Sequence, residues 1–172
     1  MRSILGDLLR QIVEAVVGWI NRCLPLYQPG AWNDNNGVQY NNNCYNYGCD
    51  IPTGTYAQPG RAHGIILGAA NLNCQDVTNG AVADGLSPVN CDQGCGCSEC
   101  QHQVALVIWP NEDYHWYRRD RDGRWSHKMG GTAATNLDNS GNIITDPRTA
   151  DRGPYRIFCG CFCVNKSKVI IN

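Results

Sequence analysis

The residues from Val38 to Gly48, VQYNNNCYNYG, set a cysteine directly before a tyrosine and five residues after a glutamine. A cysteine nucleophile needs a thiolate, a donor for the developing oxyanion, and a helix start that lowers its pKa. Asn41, Asn42 and Asn43 are of the type that caps helices, which predicts a helix beginning at Cys44 with the thiol at its positive end. Gln39 carries a side-chain amide able to donate to an oxyanion, beside the backbone N–H of Cys44. The chemistry this pattern predicts is attack by Cys44 on a carbonyl carbon.

Such a thiol requires a base within hydrogen-bond reach, and the chain has four histidines. His63 lies in a loop soon after the predicted helix. His102 opens the apolar run HQVALVI and is the first choice. His127, in WSHKMG among Trp116, Trp125 and Met129, is the rival base, with Asp138 of NLDNSG as its orienting acid. His115 is the third candidate, and hairpin register decides its place. A two-residue turn at Asn111–Glu112 sets Ile108 opposite His115 and puts His115 on the face of His102. A three-residue loop at 111–113 sets Val104 opposite Asp120 and gathers His102, Trp116, Arg118 and Asp120 on one face. A two-residue turn at Asp122–Gly123 then places Arg118 opposite His127, bringing His127 onto that face as well. Asp120 is the preferred orienting group, because a carboxylate both aligns an imidazole and stabilises its charged form.

Gln39 ahead of the Cys44–Tyr45 pair, and His102 heading a hydrophobic strand, resemble the papain-like cysteine hydrolases, including bacteriocin-processing and NlpC-type peptidases. The resemblance implies an α+β fold in which the nucleophile helix packs on an antiparallel sheet. It implies amide hydrolysis of a peptide or peptidoglycan-type substrate through a thioester, by a peptidase, amidase or endopeptidase. Cys44 would attack, Gln39 and the Cys44 N–H would hold the oxyanion, and His102 would protonate the leaving amine. No cofactor is implied.

The elements that must position these groups can be read from periodicity. Ile4, Leu5, Leu8, Leu9, Ile12, Val13, Val16, Val17 and Ile20 recur at helical spacing, which predicts an amphipathic helix over 3–24, stopped by Pro25 and Pro29. Residues 1–25 thus form an N-terminal helix that docks on the core, on a partner or on a membrane surface. Residues 26–172 form one domain. In it, 30–48 leads as a loop into the Cys44 helix, Pro59–Gly60 turns, and a second short helix over 75–86 ends at Gly85. Strands are expected at HQVALVIWP, DYHWYRRD, GRWSHKM, NIITDP and YRIFCGCFCV. Helices first and an antiparallel sheet afterwards spell α+β.

Eleven cysteines are many for 172 residues. Cys91, Cys95, Cys97 and Cys100 crowd one loop beside His102, and Cys159, Cys161 and Cys163 alternate along a strand, which predicts all three thiols on one face. Disulfides, buried thiols and a zinc site all fit that pattern. An odd count leaves at least one cysteine outside any set of intramolecular disulfides, and Cys44 is the candidate. A second reading is therefore a non-catalytic structural or assembly protein, stabilised by disulfides or zinc, with the N-terminal helix mediating assembly. Asp7, Arg10 and Glu14 interrupt the first apolar stretch, so no signal peptide is visible, and localisation stays open between cytoplasm and a non-classical export route. Lys and Arg number 14 against 15 Asp and Glu, which gives no basis for nucleic-acid binding. No apolar run is long enough to span a bilayer.

Overall fold

The computed structural model describes residues 4–34, 36–92, 97–98 and 100–172. The periodic N-terminal segment forms α1 (Ile4–Cys23). The stretch expected to be loop contains two single-turn helices, α2 (Pro29–Trp32), with proline in its first turn, and α3 (Val38–Asn41). Next comes α4 (Cys44–Cys49), stopped by Asp50 in the left-handed conformation. Two short 3₁₀ turns lead to α5 (Cys74–Ala83), beyond which Gly85 takes a φ of +101°. The strands are β1 (Ser87–Val89), β2 (His102–Trp109), β3 (Asp113–Arg119), β4 (Trp125–Lys128), β5 (Ala134–Thr135) and β6 (Ile157–Val164). They form one antiparallel sheet in the order β1-β6-β2-β3-β4-β5. The α+β class is thereby shown.

NIITDP is not a strand. Ile143 makes one isolated bridge to Leu137, and the fully buried Ile144 accepts a backbone hydrogen bond from Trp125, so the run lies across the sheet as a plug.

Both hairpins turn through three residues, and their pairings differ from the expected ones. Val104 pairs with Arg118 and Trp109 with Asp113, so the loop is Pro110–Asn111–Glu112, with Asn111 left-handed at φ +61°. Tyr117, rather than Arg118, faces His127, because the next loop takes three residues, 121–123, and Gly123 supplies a φ of +85°. The first pairing lies two steps from that of the 111–113 loop, so His102, Trp116 and Arg118 still share a face; the second lies one step from expectation and moves His127 to the face of His115 and Tyr117.

One face of the sheet meets α4 and α5 through Val104, Leu106, Ile108, Trp116, Phe162 and Val164. Its other face carries Ala105, Val107, Tyr117, Trp125 and Cys161 beneath Ile144 and Tyr155 of the long connection to β6. A bulge on β6 opposite Leu106/Val107 divides the cysteines of that strand. Gly160, at φ +139°, pairs with Leu106, and Phe158 pairs with Val107, so Cys159 is the extra residue. The expected single row of thiols is therefore split. Cys159 packs toward α5 and bonds Cys74, while Cys161 and Cys163 bond Cys91 and Cys97. Cys100 is also disulfide-bonded, and Cys95 lies outside the described residues. Zinc is excluded for the disulfide-bonded thiols, since a bonded sulfur has no thiolate to offer.

Candidate functional site

Cys44 begins α4 as the sequence predicts. Asn43 caps it, accepting from the N–H groups of Tyr45 and Asn46 at 3.0 and 3.1 Å, and Asn46 returns the bond to the Asn43 N–H. That reciprocal box satisfies donors that a helix start otherwise leaves orphaned. The thiol itself is buried, points at the Tyr114 carbonyl 3.9 Å away, and is not disulfide-bonded. Burial, aided by Asp113, pushes its pKa up to about 12. A catalytic thiol needs the opposite shift.

The sequence-predicted partners lie elsewhere. His102 faces α4 from inside, its Nε2 2.7 Å from the Gly48 carbonyl, and serves the core. The Gln39 amide donates to the Gly131 carbonyl at 3.4 Å, so its hydrogen bond is spent away from the thiol. Asp120 pairs with Arg118 at 2.8 Å rather than with any imidazole. Asp138 shapes its own turn, accepting from the N–H groups of Ser140, Asn142 and Asp151, and these donors hold its carboxyl below the usual range. His63 binds the buried Asp84, which also receives the Tyr45 hydroxyl and the Gly60 N–H.

The side chain that does share a wall with Cys44 is His115. The two line a cavity of about 100 Å³ with Tyr56, Gln58, Asp113 and Tyr155. Behind His115 lies His127, Nε2 to Nδ1 at 2.8 Å, and His127 Nε2 meets the Leu137 carbonyl at 3.0 Å. A carbonyl only accepts, so His127 carries its proton on Nε2 and accepts on Nδ1 from His115 Nε2–H. Both rings are neutral, because burial depresses their pKa values. The pair became visible only with the register. On the expected pairing, His127 would have joined His102 and Arg118. The cavity is smaller than the 300–1,000 Å³ or so of ordinary ligand pockets.

Two buried cations complete the region. Arg118, fully buried, reaches Asp120, Asp50 at 3.0 Å, the Tyr47 hydroxyl at 3.0 Å and the Leu26 carbonyl at 3.1 Å, and stacks 4.0 Å over the Tyr47 ring. Lys128, also buried, donates to three carbonyls, those of Gln39, Asn42 and Gly130. The first two are acceptors at the C-terminal end of α3, and Gly130 lies just beyond the end of β4. The sequence places Arg118 on the face of His102 and Asp120 without giving it a role, and nothing in it points to Lys128.

Against known proteins, the chain is 48% identical over 139 residues, 80% of its length, to Insoluble matrix shell protein 1 of Ruditapes philippinarum, 88% of which is covered. The chain belongs to the insoluble matrix shell protein 1 family. No family model matches it, and no solved structure matches it. Membership in the insoluble matrix shell protein 1 family overturns the hydrolase reading and its peptide or peptidoglycan substrate. It favours the structural alternative, with which the disulfides and the buried, protonated Cys44 agree.

The thiol state is directly checkable. Cys44 and Cys49 should resist iodoacetamide in the native oxidised protein at pH 8, where an exposed thiol of pKa about 8.5 is partly ionised. Both should label once the protein is unfolded. Peptide mass spectrometry reads the result, and rapid native labelling of Cys44 would contradict its burial.

Acid should weaken the fold through the histidines. Burial lowers His102 to about 4, and only partly do the Gly48 carbonyl and Asp50 offset it; Arg118 and Lys166 add to the depression. Between pH 6.5 and 4 the unfolded chain then binds more protons, so stability falls as pH falls, by about 3 kcal/mol over the window. Depressed His115 and His127 act in the same direction. The melting temperature should drop by roughly 10 °C from pH 7 to pH 4 for this term alone. His102→Gln, which keeps a donor for Gly48, should flatten the slope, and an unchanged slope would refute the assignment.

Proposed function

We propose that this chain is a non-catalytic structural component of an insoluble matrix, held in shape by disulfides. The carrying observation is its 48% identity to a protein named for that role, over most of both chains. The cross-linked β6 supports it, since a strand tied to α5, Cys91 and Cys97 is built to persist rather than to move. No helix among the described residues is long and apolar enough to cross a membrane. On the same reading the architecture is a papain-like frame put to structural use. The capped α4 packed against β3, with Cys44 as its first residue, supports that reading.

Fractionation tests this. Peptides of the chain should be recovered from the acid- and detergent-insoluble residue of the tissue that makes it. Recovery only from the soluble extract would refute a matrix role.

A further inference from the structure

α1 carries an apolar stripe that its own domain does not cover. Leu5, Leu8, Leu9, Ile12 and Val13 lie at helical spacing and are 51–67% exposed, and among the described residues no helix or strand packs along α1. On the opposite side of its axis, Asp7, Arg10 and Glu14 leave one net negative charge among them. The helix is rooted at one end of β3, where Arg121 and Arg118 hold the carbonyls of Leu24, Pro25 and Leu26.

At the other end of β3 lies an open groove of about 520 Å³, lined by Trp109, Pro110, Pro154, Arg156 and Ile157. Trp109 and Ile157 are 41% and 44% exposed, and Tyr155 holds the Trp109 ring edge-on at 6.2 Å. Arg156, on the rim, is exposed and makes no ion pair among the described residues. One end of the molecule thus presents an apolar ridge with an acidic flank. The far end presents an apolar groove with a cationic rim.

We propose that α1 of one copy seats in the Trp109–Ile157 groove of the next, joining copies head to tail. The charge match selects a second copy as occupant. A lipid surface is disfavoured, because membrane-binding helices set lysines and arginines along the polar face, whereas on this face Arg10 pairs with Glu14 and leaves Asp7 as the net charge. A contact between two different patches leaves a free ridge and a free groove on every dimer, so it extends into a ring or an open chain of subunits. This deepens the matrix reading and rests on it, by naming the chain itself as its own partner.

Sedimentation velocity on the full oxidised chain tests the proposal. The wild type should form species that grow past the dimer as concentration rises. Leu8→Asp/Ile12→Asp and Trp109→Ala/Ile157→Ser should each sediment as monomers with unchanged disulfide content. An equimolar mixture of the two should form a dimer that grows no further, because only one competent ridge and one competent groove remain. Arg156→Glu, at an exposed position, should weaken assembly without touching the core. The proposal is overturned by a monomeric wild type, by a groove variant that still dimerises, or by a monomeric wild type that floats with phosphatidylcholine vesicles through its helix. A chain found in the insoluble fraction yet monomeric in solution sinks the head-to-tail contact and leaves the matrix role standing. Polymers formed by a chain found only in soluble extracts support the contact and sink the matrix role.

Discussion

Full reduction of the oxidised protein should unfold it at 25 °C. Cys74–Cys159, Cys91–Cys161 and Cys97–Cys163 span 85, 70 and 66 residues, so each restricts the unfolded chain by about 4 kcal/mol in the loop-entropy account. Together these approach the 5–15 kcal/mol or so that a domain has in total. All three meet on β6, which lies between β1 and β2, so losing them loosens the strand on which the sheet depends. Urea unfolding with and without a phosphine reductant reads the effect, with alkylation confirming that every thiol is released. Cys74→Ala/Cys159→Ala alone should lower stability by about 4 kcal/mol. An unchanged midpoint in fully reduced protein would show that the core suffices.

Arg118→Ala should cost about 3–5 kcal/mol, more than any other single side-chain truncation on β3. The guanidinium is fully buried, and burial raises the pKa of Asp120, which Arg118 counteracts. Removing the cation strands a carboxylate that is 4% exposed, whereas Asp50 keeps Lys166 at 2.9 Å. The loss should therefore fall mainly on Asp120. Arg118→Ala/Asp120→Ala should recover part of it, and the double-mutant cycle, measured by urea unfolding, gives the coupling. If the two losses simply add, the pair is not the unit described.

Much of this arrangement was legible in the residues, and its failures share a cause. The helical spacing of Leu5 to Val13 and the Asn43 cap before Cys44 are local signals, and local signals fixed α1 and α4. So did the apolar run behind His102. What sequence could not fix was the pairing of those elements. The turn between β3 and β4 could take two residues, 122–123, or three, 121–123, and composition does not choose between them. On that single step depended whether His127 stood beside His102 and Arg118 or beside His115 and Tyr117. Likewise, alternation along YRIFCGCFCV predicted one row of thiols, because a bulge depends on the partner strand and on the φ that Gly160 allows. The insolubility in the relative's name had no signature in spacing at all.

The bulge at Gly160 has a mechanical meaning. With Cys159 turned to one face of the sheet and Cys161 and Cys163 bonded to Cys91 and Cys97, a pull on β6 passes through sulfur bridges into both layers of the molecule. The ladder to β2 cannot be peeled open one hydrogen bond at a time while those bridges hold. In tension the domain should behave as a short inextensible link, stretching only in the segments outside the bridged loops.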